Sequence, residues 1–83
     1  MFTVSILYSR KWHKIYIGYT SNLEQRVISH NILAHKGWTI KFRPWTLIHT
    51  EEFATESLAM LREKQLKSGR GRNWIWSEVI AKL

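Results

Sequence analysis

Three places in this 83-residue chain carry side chains that can do chemistry. Tyr16 and Gly18 alternate along Lys14–Tyr19, a run rich in β-forming residues. A phenol hydroxyl both donates and accepts hydrogen bonds, and beside cations it can help remove a proton from water. Arg26 and His30 are spaced so that one helix would make them surface neighbours. A guanidinium can bind two phosphate oxygens at once, and an imidazole can shuttle a proton. Glu63 lies one helical turn past Ala59 and one before Leu66, at the border of an apolar face. A carboxylate there can hold one Mg²⁺, with water and phosphate in the remaining positions. Each feature also has a plainer reading: a strand tyrosine, a solvated Arg26 beside a partly buried His30, and a surface pair of Glu63 with Lys67.

The elements that must position these residues can be read from periodicity and breakers. Phe2–Tyr8 alternates Val4, Ile6 and Tyr8 against Thr3, Ser5 and Leu7, and Lys14–Tyr19 alternates Ile15, Ile17 and Tyr19 against Tyr16 and Gly18. The two runs predict an antiparallel hairpin, with Tyr8 opposite His13, Ile6 opposite Ile15 and Ser5 opposite Tyr16. Ser21-Asn22-Leu23-Glu24 has the form of a capping box and predicts a helix to about His35, closed by Gly37. Trp45–Phe53, after Pro44, reads as a third strand. Thr55 is the expected N-cap of a second helix ending near Ser68, stopped by Gly69. Arg62 falls on its apolar face, where snorkelling is the expected accommodation. Trp74–Lys82 reads as a short last helix, with at least one of Trp74 and Trp76 in the core. The order β-β-α-β-α-α predicts an α/β (α+β) fold, a small three-stranded antiparallel sheet flanked by helices, in one domain spanning 1–83.

Composition narrows the function. Thirteen Lys and Arg against six acids, all Glu, give a net charge of +7, which favours a polyanionic partner, nucleic acid first. There is no cysteine, so disulfides and Cys-ligated zinc are excluded. No apolar run reaches the length of about 20 residues needed to span a bilayer, so no membrane partner is expected, and a reducing cytoplasm is the expected compartment. Gly69-Arg70-Gly71-Arg72 reads either as phosphate-touching backbone with added charge or as a helix cap and solvated linker. Trp38 and Phe42, beside Lys36, Lys41 and Arg43, either stack bases or cover the sheet.

Taken together, Tyr16-Ile17-Gly18, Leu23-Glu24-Gln25-Arg26, His30-Asn31, Arg43-Pro44-Trp45, Glu51-Glu52-Phe53 and Ala59–Lys64 through Lys67-Ser68-Gly69 resemble the GIY-YIG nuclease superfamily. The resemblance runs from about Phe2 to Arg72, and is closest to short stand-alone members similar to the N-terminal endonuclease domain of excinuclease ABC, a DNA-repair enzyme. It implies that Tyr16, Arg26, His30 and Glu63 are catalytic, with Glu63 holding one Mg²⁺ or Mn²⁺ ion. It further implies a metal-dependent endonuclease hydrolysing phosphodiesters in nucleic acid, DNA foremost, whose phosphates Arg26, Lys36, Lys41, Arg43, Lys67, Arg70 and Arg72 would contact. One position departs from the pattern: the first-strand tyrosine of the family is Ser5 here. A serine is shorter and a much weaker acid, and this leaves a catalytically silent nucleic-acid-binding module as the alternative. A domain whose basic face meets an acidic protein is a third reading.

Overall fold

The computed structural model describes residues 1–29, 31 and 38–83. Its element order is β1 (Phe2–Ser9), β2 (Lys14–Thr20), α1 (Leu23–Ile28), a 3₁₀ turn (Trp38–Phe42), β3 (Thr46–Phe53), α2 (Glu56–Lys67) and α3 (Gly69–Trp74), which runs on through a π-helical turn (Ile75–Val79) into a 3₁₀ turn (Ile80–Lys82). The strands form a three-stranded antiparallel sheet in the order β2-β1-β3. The expected class and element order are therefore present, and no helix among the described residues is long and apolar enough to cross a membrane.

β1 is the central strand, and Val4 to Ser9 are all buried. Alternation still sorts its side chains. On one face Val4, Ile6 and Tyr8 join Ile15 and Ile17 of β2 and pack against Ala59 and Leu66 of α2 and Ile75. The opposite face carries Ser5, Leu7 and Ser9, with Tyr16 and Gly18 from β2.

The hairpin register differs from the sequence expectation by two residues. Ser9 pairs with Lys14, Tyr8 with Ile15 and Ile6 with Ile17, so Ser5 opposes Gly18 and Tyr16 opposes Leu7. A slip of two leaves every side chain on its own face, so the hydrophobic pattern cannot discriminate between the registers. The turn does. His13 has φ 52, in the left-handed region, and cannot join the ladder. Its Nδ1 lies 3.3 Å from the Tyr8 hydroxyl instead.

The first helix also starts one residue later than expected. Asn22 is the N-cap, its Oδ1 accepting from Gln25 N at 3.1 Å, while Thr20 Oγ1 accepts from Asn22 N at 3.0 Å. The expected continuation toward His35 and Gly37 lies outside the described residues. β3 begins at Thr46 rather than Trp45, because the Asn31 amide takes both backbone groups of Trp45. Trp45 N donates to Asn31 Oδ1 at 2.6 Å and Asn31 Nδ2 donates to Trp45 O at 2.9 Å. A bulge between Ile6 and Leu7 in the β1–β3 pairing then shifts the register.

Thr55 caps α2 as expected, its Oγ1 accepting from Leu58 N at 3.3 Å. Arg62 does not snorkel. It grips Glu51 of β3 with two bonds, Nε to Oε1 at 2.8 Å and Nη2 to Oε2 at 3.1 Å, and His49 Nε2 adds a 2.8 Å contact to Oε2. Gly69 does not open a linker. Ser68 closes α2 and at once caps α3, its Oγ accepting from Gly71 N at 3.2 Å. α3 turns back so tightly that a Cβ on Gly71 would overlap Gln65 O and lie 2.5 Å from Leu66 Cα. The buried residue of the last helical segment is Ile75, whereas Trp74 and Trp76 are 36% and 37% exposed. They flank Ile75 and cover its rim: Trp74 packs edge-on to His49 and under Arg62, and Trp76 edge-on to Tyr8.

Two outcomes follow from this packing. Gly71→Ala forces backbone apart and is expected to cost about 1–3 kcal/mol, whereas Gly69→Ala, with open space around it, is expected to stabilise by up to about 1 kcal/mol; urea unfolding midpoints distinguish them. Burial raises the Glu51 carboxyl's pKa, but hydrogen bonds and charge from Arg62 and His49 more than offset this and hold it below its ordinary 4.5. A carboxylate depressed by folding stabilises the fold above its unfolded pKa and loses that contribution as pH falls through its folded value. Stability should therefore decline below about pH 4.5, and Glu51→Gln should flatten that part of the acid-unfolding curve.

Candidate active site

The site is built from β2 upward. Tyr16 is half-buried, with its ring edge-on to Trp45 at 6.3 Å between centroids. Two positions on, Gly18 has no side chain, and the Arg26 guanidinium occupies the space where one would be. A Cβ on Gly18 would overlap Nη2 and lie 2.7 Å from Cζ. The short Ser21–Asn22 connection and the Asn22 cap set α1 so that Arg26 returns over the strand it has just left. There the guanidinium carbon stands 5.3 Å from the centre of the Tyr16 ring, and Nη1 donates to Tyr19 O at 3.3 Å. Its Nε–H is buried and finds no acceptor among the described residues. A donor stranded in this way typically costs about 1–3 kcal/mol, so the arrangement is held by packing and by the π-face of Tyr16 rather than by full hydrogen bonding.

Ser5 faces this cluster from β1, directly across from Gly18 and diagonal to Tyr16, and is 1% exposed. The expectation that Ser5 and Tyr16 oppose each other is corrected by the register, though both remain on one face. At that exposure the hydroxyl is closed to solvent.

Glu63 stands on α2, the helix whose Ala59 and Leu66 pack on the other face of the sheet. Its side chain is 22% exposed and its Oε1 takes Lys67 Nζ at 2.9 Å. The structure thus brings Tyr16, Gly18 and Arg26 together and sets Glu63 on the element across the sheet. His30 and Lys36 lie outside the described residues. Among the described residues no three His or Glu side chains gather as a metal cage. A lone, partly exposed carboxylate suits a hydrated Mg²⁺, which retains several waters and takes one or two carboxylates plus phosphate.

The remaining cations divide by environment. Arg43 Nη2 donates to Ser29 O at 3.2 Å and so ties the approach to β3 to the end of α1. Arg72 Nε donates to Lys67 O at 3.3 Å, bracing α3 on α2. Lys41 and Arg70 are exposed. Arg70 borders a largely apolar groove of about 680 Å³ between α2 and α3, where Leu61, Arg62, Leu66 and Trp74 also line the wall.

Two contributions are not apparent from sequence. Gly18 is the clearance for Arg26, and a glycine inside a strand is itself the signal of a close approach. Asn31 fixes Trp45, and through it the wall behind Tyr16. No local pattern announces a lone amide that binds backbone so far along the chain.

Comparison with known proteins adds the lineage. Residues 1–74 match the family model described as the GIY-YIG catalytic domain. A UPF0213 protein of Natronomonas pharaonis is 43% identical over 54 residues, covering 65% of this chain and 64% of that protein. Another from Staphylococcus haemolyticus is 38% identical over 58 residues, covering 70% and 71%. A third, from Halobacterium salinarum, is 42% identical over 52 residues, covering 63% and 68%. The match thus spans slightly less than two thirds of the Natronomonas relative's length. With a matching sheet, helix order and family model, this chain belongs to the GIY-YIG nuclease superfamily.

Proposed function

We propose that this protein is a metal-dependent endonuclease that hydrolyses phosphodiester bonds in DNA. The observation that carries the reading is the Arg26 guanidinium, held against Gly18 and the Tyr16 ring with an Nε–H left without an acceptor among the described residues. A phosphate is the anion whose paired oxygens match a guanidinium fork.

In this reading Arg26 binds the non-bridging oxygens of the scissile phosphate and offsets the charge that grows on them in the transition state. The Tyr16 hydroxyl assists removal of the proton from the attacking water, and His30 is the second candidate for that task. As the water oxygen bonds to phosphorus, the bond to the 3′ oxygen breaks. Glu63 would hold one Mg²⁺ or Mn²⁺ ion, which when bound supplies charge stabilisation at the leaving oxygen. Lys36, Lys41, Arg43, Lys67, Arg70 and Arg72 are proposed to hold flanking phosphates, with Lys67 also neutralising Glu63 until metal arrives.

A second reading is favoured by one observation. Ser5 is buried where the family places a tyrosine, and a chain lacking that phenol would bind nucleic acid without cutting it. Relation to excision-repair nucleases and a cytoplasmic location belong to the proposal in the same way.

Incubation with supercoiled plasmid and Mg²⁺ or Mn²⁺ tests the first reading. Nicking is expected. Arg26→Ala and Glu63→Ala should each lower its rate by about 10²–10³-fold, the typical cost of removing one transition-state stabiliser. Activity that survives both substitutions would refute the assignment. If the wild-type protein binds DNA but never cuts it, Ser5→Tyr separates the readings: a gain of nicking identifies a site disabled at one position, and no gain in a variant with an unchanged melting curve counts against Ser5 as the defect.

A further inference from the structure

The β1–β2 hairpin ends in Arg10-Lys11-Trp12-His13, all exposed, followed by exposed Lys14. Trp12 is 46% exposed and meets the Phe42 ring edge-on, at 6.0 Å and 75°. Phe42 comes from the 3₁₀ turn Trp38–Phe42, which also carries exposed Lys41. Folding therefore joins two segments, about 30 residues apart in sequence, into one patch of aromatic rings and cations. Lys11 Nζ lies 5.5 Å from the centre of the Trp12 ring and Lys14 Nζ 5.6 Å from that of Phe42. Among the described residues, Lys11, Lys14 and Lys41 make no ion pair with any carboxylate.

We propose that this hairpin tip is a stacking platform for an unpaired base, and that the DNA engaged by the protein contains a single-stranded segment. The inference rests on the proposed nucleic-acid function and specifies its substrate class. A tryptophan left nearly half exposed in a small protein with one core is costly unless it meets a partner. Rings inclined at 75° are not stacked on one another, so they leave face area for a third ring. A base has such a face whatever its sequence, and its phosphate supplies the anion that Lys11, Lys14 and Lys41 lack. The closed base pairs of intact duplex do not offer a free face, so the platform discriminates in favour of frayed, looped or junction DNA.

The test is fluorescence anisotropy of a labelled oligothymidylate and of a duplex of equal length, in about 100 mM salt, where phosphate contacts remain detectable. Trp12→Ala is expected to weaken binding of the single strand about tenfold, and that of the duplex by less than about twofold. Trp12→Phe should retain most of the single-strand affinity. Lys11→Gln with Lys14→Gln should reduce the single-strand log–log salt slope by about 1.4. Melting curves matching wild type establish that the variants are folded. Loss of single-strand and duplex affinity in equal measure, or no loss in either, would overturn the platform while leaving the endonuclease reading standing. Failure of the wild-type protein to bind either DNA would instead sink the nucleic-acid reading itself, and the platform with it. Tighter binding of oligouridylate than oligothymidylate would overturn the assignment to DNA.

Discussion

The contact on which the rest turns is that between Arg26 and the bare backbone of Gly18. A guanidinium can lie flat on a strand only where no Cβ intervenes. At Gly18 it gains the Tyr16 π-face, one backbone carbonyl, and the shelter of a strand edge. Its other donors are left for something else. The features nearby serve this placement: the Thr20–Asn22 cap that angles α1 back over β2, the Asn31 amide that pins Trp45, and the Trp45 ring against Tyr16. A cation held rigidly beside a phenol, with donors unspent, is organised before any anion arrives, and preorganisation is where electrostatic catalysis draws most of its strength.

The central strand sets the second constraint. Because β1 is buried on both faces, the sheet separates a dry side, where Ile6, Ile17, Leu66 and Ile75 meet, from a side where Arg26, Tyr16 and Ser5 meet. Glu63 belongs to a helix of the dry side, one turn from two of its core residues. Edge strand β2 is thus the boundary between guanidinium and carboxylate. A phosphodiester that engages both must lie along this edge.

Much of the architecture is legible in the sequence, because it rests on local signals. The alternating runs, the Thr55 cap and the glycine after α2 each identify an element whose physics is contained within a few residues. The rest depends on contacts that periodicity does not encode. The hairpin register is ambiguous by two because both pairings keep the same faces, and only the left-handed His13 decides between them. The Gly-Arg-Gly-Arg segment resembles a linker, since nothing local reveals that Gly71 abuts the last turn of α2. Ile75 rather than a tryptophan is buried because it sits on the inward side of a helical segment that begins at Gly69, earlier than its composition suggests. At the site, residue types and spacing mark Tyr16 and Arg26 as members of one cluster, and the fold brings them together. The amide of Asn31 and the aromatic patch at the hairpin tip require the fold, since each joins segments distant in sequence.

The most direct measurement is the ¹H–¹⁵N resonance of the Arg26 Nε–H group, followed while a DNA oligonucleotide is titrated in. With the guanidinium over Tyr16, that resonance is expected to be displaced by the aromatic ring and set apart from those of exposed Arg70 and Arg72, and to move as DNA binds. A resonance coincident with those of the exposed arginines, and unmoved by saturating DNA, would contradict Arg26 as the phosphate-binding group.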